Sequence, residues 1–171
     1  MRKPPIACLI VLLSCCLLAA CEKSNGWKEY KYRDDGFAIS APSKPLLRPQ
    51  IPDEADSRTY GINYGNRTEI LFGLGNVGAW ENLPAKERLQ RMEDLTLQGT
   101  SSKLISDKEI SLDGNPGLEY EIEGASSHSR SRFYIVDGKL LAVQSYAPVD
   151  APFAADTDRI FDSLHLLNSK R

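Results

Sequence analysis

Asp137-Gly138 separates two runs of alternating side chains, Arg132 to Val136 (RFYIV) and Lys139 to Tyr146 (KLLAVQSY). An Asp-Gly pair accepts positive φ at both central positions, as the type I′ turn of a tight antiparallel hairpin requires. Much of the chain repeats this arrangement. Arg58 to Tyr64 and Thr68 to Leu74 flank Gly65-Asn66, and Lys103 to Leu112 and Leu118 to Glu123 flank a turn over Asp113 to Gly117. Trp27 to Tyr32 and Gly36 to Ala41 flank Arg33-Asp34-Asp35, and Pro42 and Pro45 end the second run. Short strands joined by such turns build antiparallel hairpins, not the βαβ units of a parallel sheet.

Two segments carry helical spacing. Asn82 and Pro84 open a stretch to about Leu97, with Ala85, Leu89, Met92 and Thr96 on one face and Glu87 and Arg91 paired four apart on the other; Gly99 closes it. Asp150 is placed to cap a second helix that starts near Ala151-Pro152 and buries Phe153, Ile160, Phe161 and Leu164, running into a last short strand at His165-Leu166-Leu167. Residues 43 to 56, rich in proline and acid, read as exposed loop. The pattern is an α+β domain: an antiparallel sheet with helices packed on its faces.

The start of the chain is of another kind. Arg2 and Lys3 precede an apolar run from Ile6 to Leu18, which is followed by Leu18-Ala19-Ala20-Cys21. That order marks a secretory signal, and the run is shorter than the roughly 20 residues of a membrane-crossing helix. The segment resembles a bacterial lipoprotein signal, whose lipobox is a leucine, two small residues and a cysteine. The resemblance implies cleavage before Cys21 and acylation of that residue, leaving residues 1–20 as signal peptide, 21–26 as lipidated cysteine and short tether, and 27–171 as one globular domain. Glu22 stands where an aspartate would favour inner-membrane retention, so the expected location is the outer membrane, facing the periplasm.

All four cysteines, Cys8, Cys15, Cys16 and Cys21, lie in this leader and its cleavage site. With Cys21 acylated, the exported domain has no thiol for catalysis, disulfide or metal, and about 150 residues must be held by their core alone. Loss of Arg2 and Lys3 takes the 21 basic residues to 19 against 23 acidic ones, a net charge of −4 that argues against nucleic acid as partner. A tether of five residues reaches about 17 Å, which keeps the domain close to the membrane.

Candidate sites are few. Gly73, Gly75 and Gly78 fit the G-x-G-x-x-G pattern of dinucleotide sites. That pattern needs its third glycine inside a helix whose N-terminus faces the pyrophosphate, and here the helix starts only at about Pro84. The spacing therefore reads as a glycine-rich turn leaving a strand, and no nucleotide is expected. His128 and His165 lie in different elements without a close cysteine or histidine. Ser127-His128-Ser129 reads as a polar hairpin tip rather than a nucleophile and base, and Asp53-Glu54-Ala55-Asp56 lacks the alternation of a calcium loop. No catalytic, cofactor-binding or metal-ligating residue is assigned. Arg130 and Arg132 share a face of their strand and, with Lys139 and the aromatic Trp80, form the candidate interaction surface.

The C-terminal half has a recognisable order: Gly114-Asn115-Pro116-Gly117, then the Arg132-Phe133-Tyr134 strand, then Phe161-Asp162-Ser163-Leu164, with the opening GFAISAP at residues 36–42. These motifs resemble exported proteins of the PsbP-like superfamily, which share a fold with the Mog-type Ran-binding proteins. The resemblance implies an α/β/α sandwich around an antiparallel sheet of about six or seven strands. It also implies a non-catalytic protein that docks onto a larger assembly. The expectation is a non-enzymatic, lipid-anchored envelope protein that binds an envelope protein or component. A small-molecule or lipid carrier would instead need a large apolar cavity between sheet and helix, and an envelope hydrolase a deep polar cleft with perturbed titratable groups.

Overall fold

The computed structural model describes residues 26–49, 57–76 and 78–167. The leader, Cys21, residues 22–25 of the tether and the acidic run at 53–56 lie outside the described residues. The strands are β1 (Lys28–Tyr32), β2 (Phe37–Ala41), β3 (Leu46–Leu47), β4 (Arg58–Asn63), β5 (Glu69–Gly75), β6 (Lys103–Leu112), β7 (Asn115–Glu123), β8 (Ser127–Val136), β9 (Lys139–Pro148) and β10 (His165–Leu166). Helix α1 spans Ala85–Thr100 and α2 spans Thr157–Ser163. Seven strands form one antiparallel sheet in the order β3-β4-β5-β9-β8-β7-β6, and a smaller sheet has the order β1-β2-β10.

The hairpins form where the turn chemistry places them. Asp137 and Gly138 take φ of 48° and 79°, and Val136 pairs with Lys139. The turn expected over Asp113 to Gly117 contracts to Asp113-Gly114, with φ of 50° and 85°, and Asn115-Pro116-Gly117 continue as β7. Pro116 fits in a strand because the pairing with β8 begins one residue later, at Gly117 and Tyr134. Strand β8 starts at Ser127, so Ser127-His128-Ser129 lie in a strand and not at a hairpin tip. Ser129 and Ser131 are buried, and their small hydroxyl side chains disguise an inward-facing row.

Alternation divides the seven-stranded sheet into two faces. On one, Leu118, Tyr120, Ile122, Phe133 and Ile135 pack with Leu89 of α1. On the other, Ile62, Ile70, Phe72, Leu141 and Val143 pack against Phe37 and Ile39 of the small sheet and against Ile160, Phe161 and Leu164. Tyr32, Phe37, Tyr60 and Phe72 fill the space between the two sheets, with ring centroids 4.1 to 6.2 Å apart. Phe37 and Phe72, fully buried, each contribute about 1.5–3 kcal/mol. The first hairpin thus stacks on the large sheet instead of extending it, and one outer layer is part strand and part helix.

Both helices differ at an end from the sequence reading. Helix α1 passes through Gly99 and stops at Ser101, whose left-handed φ of 51° turns its N–H back onto the carbonyls of Leu97 and Gln98. Helix α2 starts at Thr157, not Ala151. His128 Nε2 lies 2.8 Å from the Ala151 carbonyl and its ring stacks on Phe153 at 4.1 Å, so this segment lies along β8 rather than coiling. Ile160, Phe161 and Leu164 are buried as expected.

The two edges of the large sheet contrast. On β6, Lys103, Asp107, Lys108 and Glu109 and a register shift between Leu104 and Ser106 blunt the edge. On β3, Leu46 and Leu47 are 67% and 62% exposed. No helix among the described residues is long and apolar enough to cross a membrane.

Candidate functional site

Arg130 and Arg132 do share a face of β8, and on that face they meet α2. The Arg132 guanidinium donates to Glu119 on β7 and, at 2.8 Å, to Asp162 on α2, and it lies over the Phe161 ring at 5.3 Å. Lys108 of β6 completes the cluster, 2.7 Å from Glu119. Burial raises the Glu119 pKa, but its hydrogen bonds to Lys108 and Arg132 outweigh this and hold it below the ordinary carboxylate value. Arg130 pairs with Asp158 of α2 and stands over Phe153 and Phe161. Both arginines clamp α2 to the sheet, so neither is a free cation on an open edge.

Lys139 sits elsewhere. It faces the same side of the sheet but pairs with Val136, four residues along β8 from Arg132 and about 13 Å away. There the turns β1–β2, β6–β7 and β8–β9 converge around a concavity of about 620 Å³, with Arg33, Asp34, Asp113, Asp137 and Lys139 in its lining. Two carboxylates of this cleft are committed to the fold. Asp35, 5% exposed at its side chain, accepts from Tyr60 Oη at 3.1 Å and pairs with Arg58 at 3.2 Å. Asp113 Oδ2 accepts the N–H of Leu166 at 3.2 Å, which ties β10 to the rim. Arg33, Asp34, Asp137 and Lys139 are exposed, and among the described residues no ion pair engages them.

Trp80 is half-buried at the end of a 3₁₀ turn, Gly78–Trp80. The segment after it is strapped down by Arg88 of α1, which donates to the carbonyls of Glu81, Leu83 (2.7 Å) and, on the β8–β9 turn, Gly138 (3.2 Å). Of the four candidate surface residues, Lys139 and the Trp80 segment share this end of the sheet; Arg130 and Arg132 do not. The sequence carried no sign of Arg88, since a cation one turn into an amphipathic helix normally faces solvent.

The glycine-rich stretch has a structural explanation. Gly73 and Gly75 are residues of β5, and a Cβ on Gly73 would stand 2.0 Å from the Arg58 carbonyl oxygen, so glycine there lets β4 approach. Helix α1 starts seven residues after Gly78. Among the described residues, no three His, Cys, Asp or Glu side chains are grouped to hold a metal ion. His128 alternates with Ser127 and Ser129 along β8 and so points away from both. His165 Nε2 lies 3.4 Å from Glu29. Trp27 packs on the core beneath Arg159, whose guanidinium carbon is 3.8 Å from the ring centroid.

No protein-family profile matches the sequence, and no curated protein is similar to it. Solved structures do match. The solution structure of cyanobacterial PsbP (CyanoP) from Synechocystis sp. PCC 6803 superposes with a TM-score of 0.58 at 13% identity, over 88% of this chain and 99% of that one. The fold is PsbP-like. A Pseudomonas aeruginosa protein of unknown function, PA94, matches with a TM-score of 0.46 at 13% identity, over 78% and 87% of the two chains. At these identities the likeness to CyanoP speaks for the fold alone.

Proposed function

We propose that this chain is a lipid-anchored protein of the cell envelope, held in the outer membrane's periplasmic leaflet, and that it docks onto an envelope protein without performing catalysis. The observation that supports it best is the placement of the two ends. The described chain begins at Gly26, beside the Pro42 carbonyl, where Lys28 pairs with Ala41 at the open end of the β1–β2 hairpin. The turn of that hairpin, Arg33 to Gly36, lines the cleft at the other end. Strands β8 and β9, ten residues each, set the height of the sheet at about 33 Å.

An anchor on Cys21, five residues before Gly26, therefore puts the cleft on the side away from the membrane. The cleft is open and polar, with exposed charges of both signs, which suits a charged protein surface better than an apolar ligand. Leu89 of α1 packs with Leu118, Tyr120, Ile122, Phe133 and Ile135, so apolar side chains occupy the space between sheet and helix that a carrier would use. The anchor is tested by metabolic labelling with palmitate. Wild-type protein is expected to incorporate label and Cys21→Ala to lose it entirely; incorporation that persists in Cys21→Ala contradicts the anchor.

A further inference from the structure

Resting on the docking reading, we infer that the partner presents to the cleft an extended segment in which one large apolar side chain is flanked by an acid and a base. The floor and the rim of the cleft differ in character. Leu74 of β5, Val136 of β8 and Leu166 of β10 line it, and each is half-buried against the core that lies between the two sheets. The inter-sheet core therefore reaches the surface at this end. Leu74 pairs with Leu141 and Val136 with Lys139, so Leu74, Val136 and Lys139 belong to one face of the large sheet. Leu166 and the turn from Arg33 to Gly36 belong to the layer opposite. A side chain entering between the layers meets apolar surface on both sides. The volume, about 620 Å³, is that of an ordinary ligand cleft and has room for a large side chain with the backbone beside it.

Charge sets the rest of the chemistry. The wall formed by the large sheet carries Lys139 and Asp137, and the opposite wall carries Arg33 and Asp34. Each wall thus has one base and one acid, all four exposed and, among the described residues, outside any ion pair. A segment of one sign would meet a like charge on each wall, which weakens binding, whereas a segment bearing both signs is matched on each. Polyanions and anionic headgroups are disfavoured for the same reason. An apolar anchor inside a polar, charge-matched rim is the arrangement in which a few buried side chains carry most of the binding energy.

The test uses the full, acylated protein in phospholipid nanodiscs, panned against phage-displayed random short peptides. Lys139→Glu and Asp34→Lys, one on each wall and both at exposed positions, leave the core untouched, and a peptide that either reversal weakens is seated in the cleft. Such peptides are expected to share a leucine or aromatic residue with an acid and a base within a few positions, and to be weakened by both reversals, by up to about fivefold each. Replacing the shared apolar residue by alanine is expected to weaken binding by about tenfold or more. Cleft-seated peptides that keep their affinity with alanine, or that carry charges of one sign, overturn the inference and leave docking at the cleft in place. The absence of any cleft-seated peptide, or a cleft closed by a second copy of this chain and seen as a dimer by light scattering, also overturns it; crosslinking from position 139 in cells then decides the docking reading by itself.

Discussion

Arg132→Ala is expected to lower the stability of the domain by about 3 kcal/mol, read as a fall in denaturant midpoint at unchanged slope. Arg132 and Glu119 are 18% and 12% exposed at their side chains, and removing the guanidinium leaves Glu119 with Lys108 alone and Asp162 with no partner from the sheet. The same change at Arg130 is expected to cost about 1 kcal/mol or less, because its partner Asp158 is 77% exposed and solvent screens the pair. Acid separates the variants further. The folded pKa of Glu119 lies below its unfolded value, so its contribution is complete above the ordinary carboxylate range and is lost as pH falls through the depressed folded value. Arg132→Ala should flatten this acid limb; a stability loss equal to that of Arg130→Ala at every pH would contradict the clamp.

Glu93→Gln is expected to do the reverse and stabilise the domain at pH 7, by on the order of 1 kcal/mol. Glu93 is 2% exposed on the buried side of α1, with one hydrogen bond, from Gln90 Nε2 at 3.1 Å. Burial, then the charges of Asp107 and Asp94, push its pKa up against the Gln90 bond. Its folded pKa therefore exceeds its unfolded value, and the wild-type domain gains stability as pH falls from neutral through that raised pKa. Glutamine removes the charge and keeps the shape. The advantage of Glu93→Gln should shrink as pH falls from neutral through that raised pKa, where the wild-type carboxyl takes up its proton; a loss of stability at pH 7 would show that the ionised carboxylate is needed.

Hairpins and faces were legible because they are written locally. Asp137-Gly138 and Asp113-Gly114 carry their own turn geometry, and period-two alternation assigns Phe133 and Tyr134 to opposite faces. What pairs hairpin with hairpin is not local. Nothing within Trp27 to Ala41 says that β1 and β2 join His165-Leu166 rather than the large sheet, since that depends on which surface Phe37 and Ile39 find. The start of α2 is not written locally either. Asp150 and Pro152 fit a helix start by themselves, but His128, 23 residues upstream, holds the Ala151 carbonyl and Phe153 in an extended path.

The candidate site divides in the same way. That Arg130 and Arg132 lie on one face followed from alternation; that α2 would bring Asp158 and Asp162 over that face did not. The cleft is invisible in the sequence because its lining comes from three hairpin turns with their adjoining residues, from β5 and from β10, more than 130 residues apart at the extremes. Lys139 reads in sequence as a cation near the arginines and belongs to this rim instead. Glu93 reads in sequence as one more helix carboxylate, and only its position over β6 and β7 shows it as buried.

Docking at the end of the sheet away from the membrane is tested most directly by in-cell photo-crosslinking from position 139, with a photoreactive residue in place of Lys139 and mass spectrometry of the adducts. A partner seated in the cleft gives one dominant protein adduct from position 139 and none from the same probe at Asp158, on the outer side of α2. Adducts that are diffuse, equal at both positions, or confined to lipid and cell wall would contradict docking there.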